Sequence, residues 1–310
     1  MNTICKINVS EFIKGDAPVT VIDGVEFFDV GKTFDCGQCF RFDEVKDSIH
    51  EKEFSGVAFG RFVSFAQDGS RLYIYGSTLD DYESIWRGFL DIDRDYGEIE
   101  SDILRHNSSD ALVRAMEHGR GIRILKQDRL ESMISFIISQ NNNIPRIKGL
   151  ISALSYKCGQ ECDTQGMEGH IASAHETVPG ALYTFPTPES LVALGEDGLR
   201  ELKTGFRAKY IYDAAQRVSS GQTDLDDINQ METAAAATEL CKICGVGPKV
   251  AACALLFGHS KLDAFPIDVW IKKVLATHFG GTFPVDALGD AAGIAQQYLF
   301  YLGRYSDLFK

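Results

Sequence analysis

The chain changes its hydrophobic rhythm once, and that change limits the fold more than any single motif. From residue 18 to about 77, runs rich in β-branched and aromatic residues (PVTVIDGVEFFDV, SGVAFGRFVSFA, RLYIYGS) alternate with Gly, Asp and Ser turns, which is the pattern of an antiparallel sheet. After DDYESIW the period becomes helical. The expected class is α+β, with an N-terminal antiparallel β-sheet domain over 1–115 and a two-part all-helical body over 116–310 whose last helices pack back on the N-terminal part.

Within the body, DRLESMISFIIS places Leu130, Met133, Ile134, Ile137 and Ile138 at i, i+3, i+4, i+7 and i+8 behind Asp128 as N-cap, so this helix buries one face. QNNNIPRIKGLISAL breaks and restarts the helix. Three asparagines sit at the joint, Pro145 suits a first turn, and Ile147, Leu150, Ile151 and Leu154 form the next stripe. Residues 155–186 are polar and irregular and are expected to be a surface excursion carrying incidental thiols at Cys158 and Cys162, with helices resuming near 187.

Composition narrows the partners. Hydrophobic residues make up 45% and charged residues 24%, as in an ordinary soluble globular chain. The first residues show no basic stretch leading into an apolar run, and no segment reaches the roughly 18 apolar residues of a membrane span. With eight cysteines, this points to an intracellular, cytoplasmic protein whose thiols stay reduced. Cys36/Cys39 and Cys241/Cys244 have CxxC spacing, but the two pairs lie too far apart for a zinc ribbon, and no metal site is expected. A net charge of −13 argues against nucleic acid until its distribution is considered. Residues 121–150, 203–217 and 241–280 hold 14 Lys/Arg against five Asp/Glu, so an acidic body can present a basic face.

The segment METAAAATELCKI-CGVG-PKVAACALLF (231–257) reads as helix, hairpin, helix, closed by Gly258. Gly245 and Gly247 permit the left-handed or close-approach backbone of such a turn and leave N–H groups free for a phosphate. A plain connector fits the same residues. Lys249 is harder to dismiss. The start of a helix carries about half a positive charge, so a lysine there is electrostatically misplaced. A lysine amine is nucleophilic only when neutral, and a helix N-terminus with partial burial favours the neutral form. Nineteen residues on, Asp268 precedes an amphipathic run as an N-cap and could stabilise positive charge developing on a sugar.

LCKICGVGPKVAACALLFGHSKLDAFPIDVW resembles the helix-hairpin-helix signature of the DNA glycosylase superfamily with its trailing aspartate, and specifically the 8-oxoguanine DNA glycosylases that carry a lysine. Four further stretches match that family in order: CGQCFRF (36–42), KQDRLESMISFIISQNNNIPRI (126–147), GFRAKYI (205–211) and AGIAQQYLF (292–300). The resemblance implies a bifunctional glycosylase and abasic-site lyase acting as a monomer on double-stranded DNA containing 8-oxoguanine, associated with the nucleoid. Lys249 would attack C1′ and form a Schiff base, and Asp268 would stabilise the cationic sugar. The flipped base would meet the Gly37 carbonyl at N7–H and Gln296 at its Watson–Crick edge, between Cys253 and Phe300. Asn141, Asn142, Arg146, Phe206 and Arg207 would fill the vacated stack and read the opposite cytosine, and Gly245 and Gly247 would hold phosphate. No cofactor is required, though a monovalent or divalent cation on the hairpin carbonyls is compatible with phosphate docking.

Lys249 and Cys253 at i and i+4 share a helix face, which agrees with an amine at the sugar and a thiol on the base. Phe206 stands where eukaryotic members have tyrosine, keeping the aromatic wedge without the hydroxyl, and Trp270 stands at a phosphate-contact position that is histidine in the family. A non-catalytic helix-hairpin-helix DNA-binding module would explain the basic segments and the hairpin equally well. It would not explain the Lys249/Asp268 pair or the pocket set.

Overall fold

The computed structural model describes residues 7–305. Six strands, β1 (Asn8–Lys14), β2 (Ala17–Asp23), β3 (Phe42–Glu44), β4 (Lys52–Ala58), β5 (Arg61–Asp68) and β6 (Arg71–Tyr75), form one sheet in the order β1-β2-β6-β5-β4-β3. All five pairings are antiparallel. At the β4–β5 turn, Ala58 pairs with Arg61 while Phe59 and Gly60 take φ of 49° and 73°, so the two-residue turn matches the twist of its strands.

Period-two alternation gives the sheet two apolar faces. Ile22, Phe54, Phe65 and Ile74 point to one side, where they meet Trp86 and Phe89. Phe65 and Trp86 lie edge to face at 5.6 Å, and both are 0% exposed. Such full burial of an aromatic side chain stabilises by about 1.5–3 kcal/mol. Val19, Val21, Val57, Phe62 and Ala66 face the other way.

That second face corrects the expectation for residues 155–186. The helix from Ile144 runs to Cys158, and the segment after it covers the sheet, burying Cys162 and Met167 in one cluster with Val19 and Phe62. His170 Nδ1 meets Glu53 Oε1 at 2.6 Å, His175 Nε2 meets Asp43 Oδ2 at 3.1 Å, and the Ala172 N–H donates to Ser55 Oγ at 3.1 Å. The segment is therefore a cover rather than an excursion. Polar residues bond to carboxylates on the sheet while the few apolar ones complete its core.

Three other expectations shift. VEFFDV, assigned to the sheet from its β-formers, leaves the ladder after Asp23 and turns into a short helix, Val30–Phe34, capped by Asp29. β1 precedes the predicted start of the sheet; it is an edge strand exposed along nearly all its length, so no alternation of burial marks it. Helices Tyr96–His106 and Asp110–Gly119 bury Ile103, Leu112 and Met116 in the core of the helical body, so the break placed at 115 falls inside a helix.

The body is organised around two helices. Arg129–Ser139 starts at Asp128, whose carboxylate accepts the Glu131 N–H at 2.9 Å, and it packs against Pro248–Gly258 with Phe136 stacked on Phe257 at 5.4 Å. The terminal helix, Ala292–Tyr305, lies against Asp110–Gly119 and returns to the N-terminal part, where Gln297 Nε2 donates to the Cys36 carbonyl at 2.9 Å. No helix among the described residues is long and apolar enough to cross a membrane.

Candidate active site

The hairpin is held from below. Thr233–Leu240 ends at Cys241, and Asp213 on helix Arg207–Ser219 accepts the Cys244 N–H at 2.8 Å and the Arg217 Nε–H at 3.0 Å. Gly245 has φ of +78°, and a Cβ there would lie 2.2 Å from Tyr210 Cγ, so both conformation and crowding demand glycine. Gly247 differs from the expectation. Its φ of −95° and ψ of 178° are extended, and nothing lies within 4 Å of where its Cβ would be. Gly247 keeps the surface clear rather than relieving strain, on the side where the first N–H groups of Pro248–Gly258 have no side-chain cap.

Lys249, in the first turn of that helix, is half-buried and leans across to Arg129–Ser139. Its Nζ is 3.5 Å from Ser139 Oγ and 5.1 Å from the centre of the Phe136 ring. One turn on, the Cys253 thiol is 3% exposed and pushed up to about 11 by burial, against the charge and hydrogen bond of Lys249; the charge of Asp268 adds to the rise. The thiol is therefore protonated at neutral pH, a soft apolar wall rather than an anion. Asp268 caps Val269–His278, its Oδ1 accepting the Ile271 N–H at 2.8 Å. Among the described residues, no ion pair joins Lys249 to Asp268 or to any other carboxylate.

The remaining wall comes from opposite ends of the sequence. Gln296 is 3% exposed; its Nε2 donates to the Pro266 carbonyl at 3.0 Å, and its Oε1 has no partner. An unpaired buried amide oxygen costs about 1–3 kcal/mol. Phe300, one turn further, would sit 3.4 Å from a Cβ on Gly37, whose φ is +78°. The DCGQC loop is fixed from inside by Gln38, which donates to the Thr33 and Arg123 carbonyls at 2.9 and 2.8 Å and accepts the Leu125 N–H at 2.9 Å. Cys36 and Cys39 are buried beside it, with Cys36 pushed up to about 11 by burial.

Two of the basic segments meet at the asparagine joint, where Arg207 reaches the Gln140 and Asn141 carbonyls. Asn141 is exposed with φ of +49°, a conformation asparagine tolerates well. Asn142 donates to the Ile138 carbonyl at 3.2 Å, and Asn143 caps Ile144–Cys158 through the Arg146 N–H at 3.0 Å. Phe206 is 49% exposed, edge to face with Tyr210 at 5.8 Å. The two arginines separate in role. The Arg146 side chain is exposed, whereas Arg207 is 4% exposed, bonds the carbonyls of Gln140, Asn141 and Thr204, and stacks 4.4 Å from the Phe206 ring centre. Trp270 lies at the surface beside Val269, which is 74% exposed.

Sequence reasoning missed Phe136, Ser139, Pro266, Tyr210 and Asp213. The first two belong to a helix chosen for its buried stripe, and nothing in that stripe marks its last turn as facing Lys249. The others act through contacts across the chain that no local pattern encodes.

Two family models match consecutive parts of the chain: 8-oxoguanine DNA glycosylase, N-terminal domain, over residues 21–133, and HhH-GPD superfamily base excision DNA repair protein over residues 134–282. The chain is 31% identical over 256 residues to N-glycosylase/DNA lyase OGG1 of Arabidopsis thaliana, a match covering 80% of this chain and 65% of that one, so just under two thirds of that relative is represented. It resembles the Clostridium acetobutylicum 8-oxoguanine glycosylase/lyase in complex with double-stranded DNA containing cytosine opposite 8-oxoG, with a TM-score of 0.83, 34% identity, and 96% and 97% of the two chains covered. It also resembles MBOgg1 in complex with a low-affinity DNA ligand, with a TM-score of 0.85, 37% identity, and coverage of 96% and 98%.

Proposed function

We propose a base-excision activity from one premise: the chain belongs to the HhH-GPD superfamily of base excision DNA repair proteins, in its 8-oxoguanine DNA glycosylase branch. The enzyme extrudes 8-oxoguanine from duplex DNA, releases it and nicks the resulting abasic site. The observation that carries this reading is the half-buried Lys249 amine, set between the Phe136 ring, the Ser139 hydroxyl and the Cys253 thiol, with no carboxylate bonded to it among the described residues.

The neutral amine attacks C1′ as the bond to N9 breaks. The base leaves with that electron pair and takes up a proton, and the amine sheds one. Opening of the sugar ring leaves a C1′=N Schiff base. Loss of a proton from C2′ then expels the 3′ phosphate and cuts the strand. Positive charge develops on the sugar during the first step, and the Asp268 carboxylate, held by its own helix start, stabilises it.

Recognition divides among the groups around the amine. The Gly37 carbonyl accepts N7–H, the Gln296 amide reads the Watson–Crick edge, and Cys253 and Phe300 cover the two faces of the ring. Phe206 wedges into the vacated stack, Asn141 and Asn142 flank it, and Gly245 and Gly247 bring backbone N–H groups to phosphate. Arg146 reads the opposite cytosine; Arg207 holds the Gln140–Asn141 turn that presents it. A protein with this chemistry works on the nucleoid, in the cytoplasm.

The test is excision from four duplexes that differ only in the base opposite 8-oxoguanine. Release is expected, fastest opposite cytosine. Equal rates against all four would remove the reading role of Arg146, and no release from any would remove the proposed function.

A further inference from the structure

We infer that Arg304 is a second reader of the damaged edge of the base, donating to O8 while the Gly37 carbonyl accepts N7–H; this rests on the base-excision reading above. Gln296, Phe300 and Arg304 stand at i, i+4 and i+8 on the terminal helix and so share one face of it. A Cβ on Gly37 would lie 3.2 Å from Arg304 Nη1, which sets the guanidinium against the same loop residue to which the base-excision reading gives the N7–H contact. The guanidinium lies 5.0 Å from the centre of the Tyr305 ring, and the Tyr305 hydroxyl donates to the Asp35 carbonyl, so the platform beneath it is tied to the loop that carries Gly37. Among the described residues, no carboxylate pairs with Arg304.

The chemistry of the lesion matches this arrangement. Oxidised guanine presents a donor at N7–H beside an acceptor at O8; undamaged guanine presents a lone pair at N7 beside C8–H. A carbonyl and a guanidinium side by side complement the first edge and oppose the second, since the carbonyl meets a lone pair and the guanidinium meets a C–H. Gly37 alone reads half of that edge. Arg304 supplies the other half from the neighbouring helix.

The test compares two single-turnover rates in wild type, Arg304→Ala and Arg304→Lys: release of 8-oxoguanine opposite cytosine, and cleavage of the same duplex with a preformed abasic site, which offers no edge to read. A charge-assisted hydrogen bond of ordinary strength corresponds to a fall of about 10- to 100-fold in the ratio of excision to abasic-site cleavage for Arg304→Ala. Arg304→Lys should recover part of it. An unchanged ratio overturns the inference. So does an equal fall in both rates accompanied by a salt dependence of binding flatter by about 0.9, which would identify a backbone-phosphate contact instead. If Arg304→Ala melts well below wild type, Arg304→Met, which keeps an unbranched apolar side chain beside Tyr305, replaces it. Absence of excision by the wild type would instead count against the parent reading.

Discussion

Two glycines in one turn should respond oppositely to the same change. In Gly245→Ala the new methyl is forced into a left-handed conformation, at about 1–2 kcal/mol, and against the Tyr210 ring, where a Cβ would lie 2.2 Å from Cγ and 2.3 Å from Cδ2. Overpacking of this kind adds about 1–3 kcal/mol, so the folded state should lose about 2–5 kcal/mol in all. For a chain of this size that lowers the melting temperature by about 4–10 °C. In Gly247→Ala the backbone is already extended and the methyl meets nothing within 4 Å. Stability should fall by at most about 1 kcal/mol, the difference between glycine and alanine at an N-cap. The methyl does occupy the open side where phosphate approaches, and DNA affinity should drop about tenfold, or about 1.4 kcal/mol. Thermal melts and fluorescence anisotropy with a lesion-bearing duplex measure both quantities. A Gly245→Ala protein as stable as wild type, or a Gly247→Ala protein that binds DNA as well as wild type, would refute the reasoning.

Two further outcomes follow from single side chains. Asp268→Asn keeps a competent cap, so the melting temperature should hold, while loss of the negative charge should slow base release by about 10²–10³-fold in single-turnover assays; equal loss of stability and rate would reduce Asp268 to a cap. Glu131 is half-buried, 3.7 Å from Arg41, and desolvation pushes its carboxyl up to about 7. A folded-state value above the unfolded one means that the native protein holds the extra proton, so stability declines as pH rises from about 4.5 to 7, by up to about 3 kcal/mol from this group. Glu131→Gln should flatten that decline in pH-dependent denaturant melts, and a steeper decline would show that the Arg41 pairing dominates instead.

What was legible in the sequence is what local chemistry decides. Asp128 and Asp268 announce helix starts because a short polar side chain before an apolar stripe has one common use, and both cap as expected; the asparagine joint marked only a break, and the structure makes its last member, Asn143, the cap of the next helix. SGVAFGRFVSFA declared itself as β-structure, but not as the two strands β4 and β5 that fold back on each other at Phe59-Gly60. The cover formed by residues 159–186 did not, because its fixed points are Glu53, Ser55 and Asp43, more than a hundred residues away, and its own composition resembles a loop. The pocket shows the same division. Lys249 and Cys253 at one-turn spacing predict a shared face, and the amine is near enough to oppose the burial-driven rise of the thiol. Burial of Arg207 by three backbone carbonyls has no sequence signal, since an arginine beside an aromatic residue in a basic stretch looks like a DNA contact wherever its guanidinium points.

The nucleophile can be tested directly by borohydride reduction during turnover of an 8-oxoguanine duplex, followed by mass mapping of the adduct. Wild type should yield one covalent protein–DNA species attached at Lys249, and Lys249→Gln should yield none while still melting as wild type does. An adduct that persists in Lys249→Gln, or that maps to another residue, would contradict the assignment of this amine as the group that attacks the sugar.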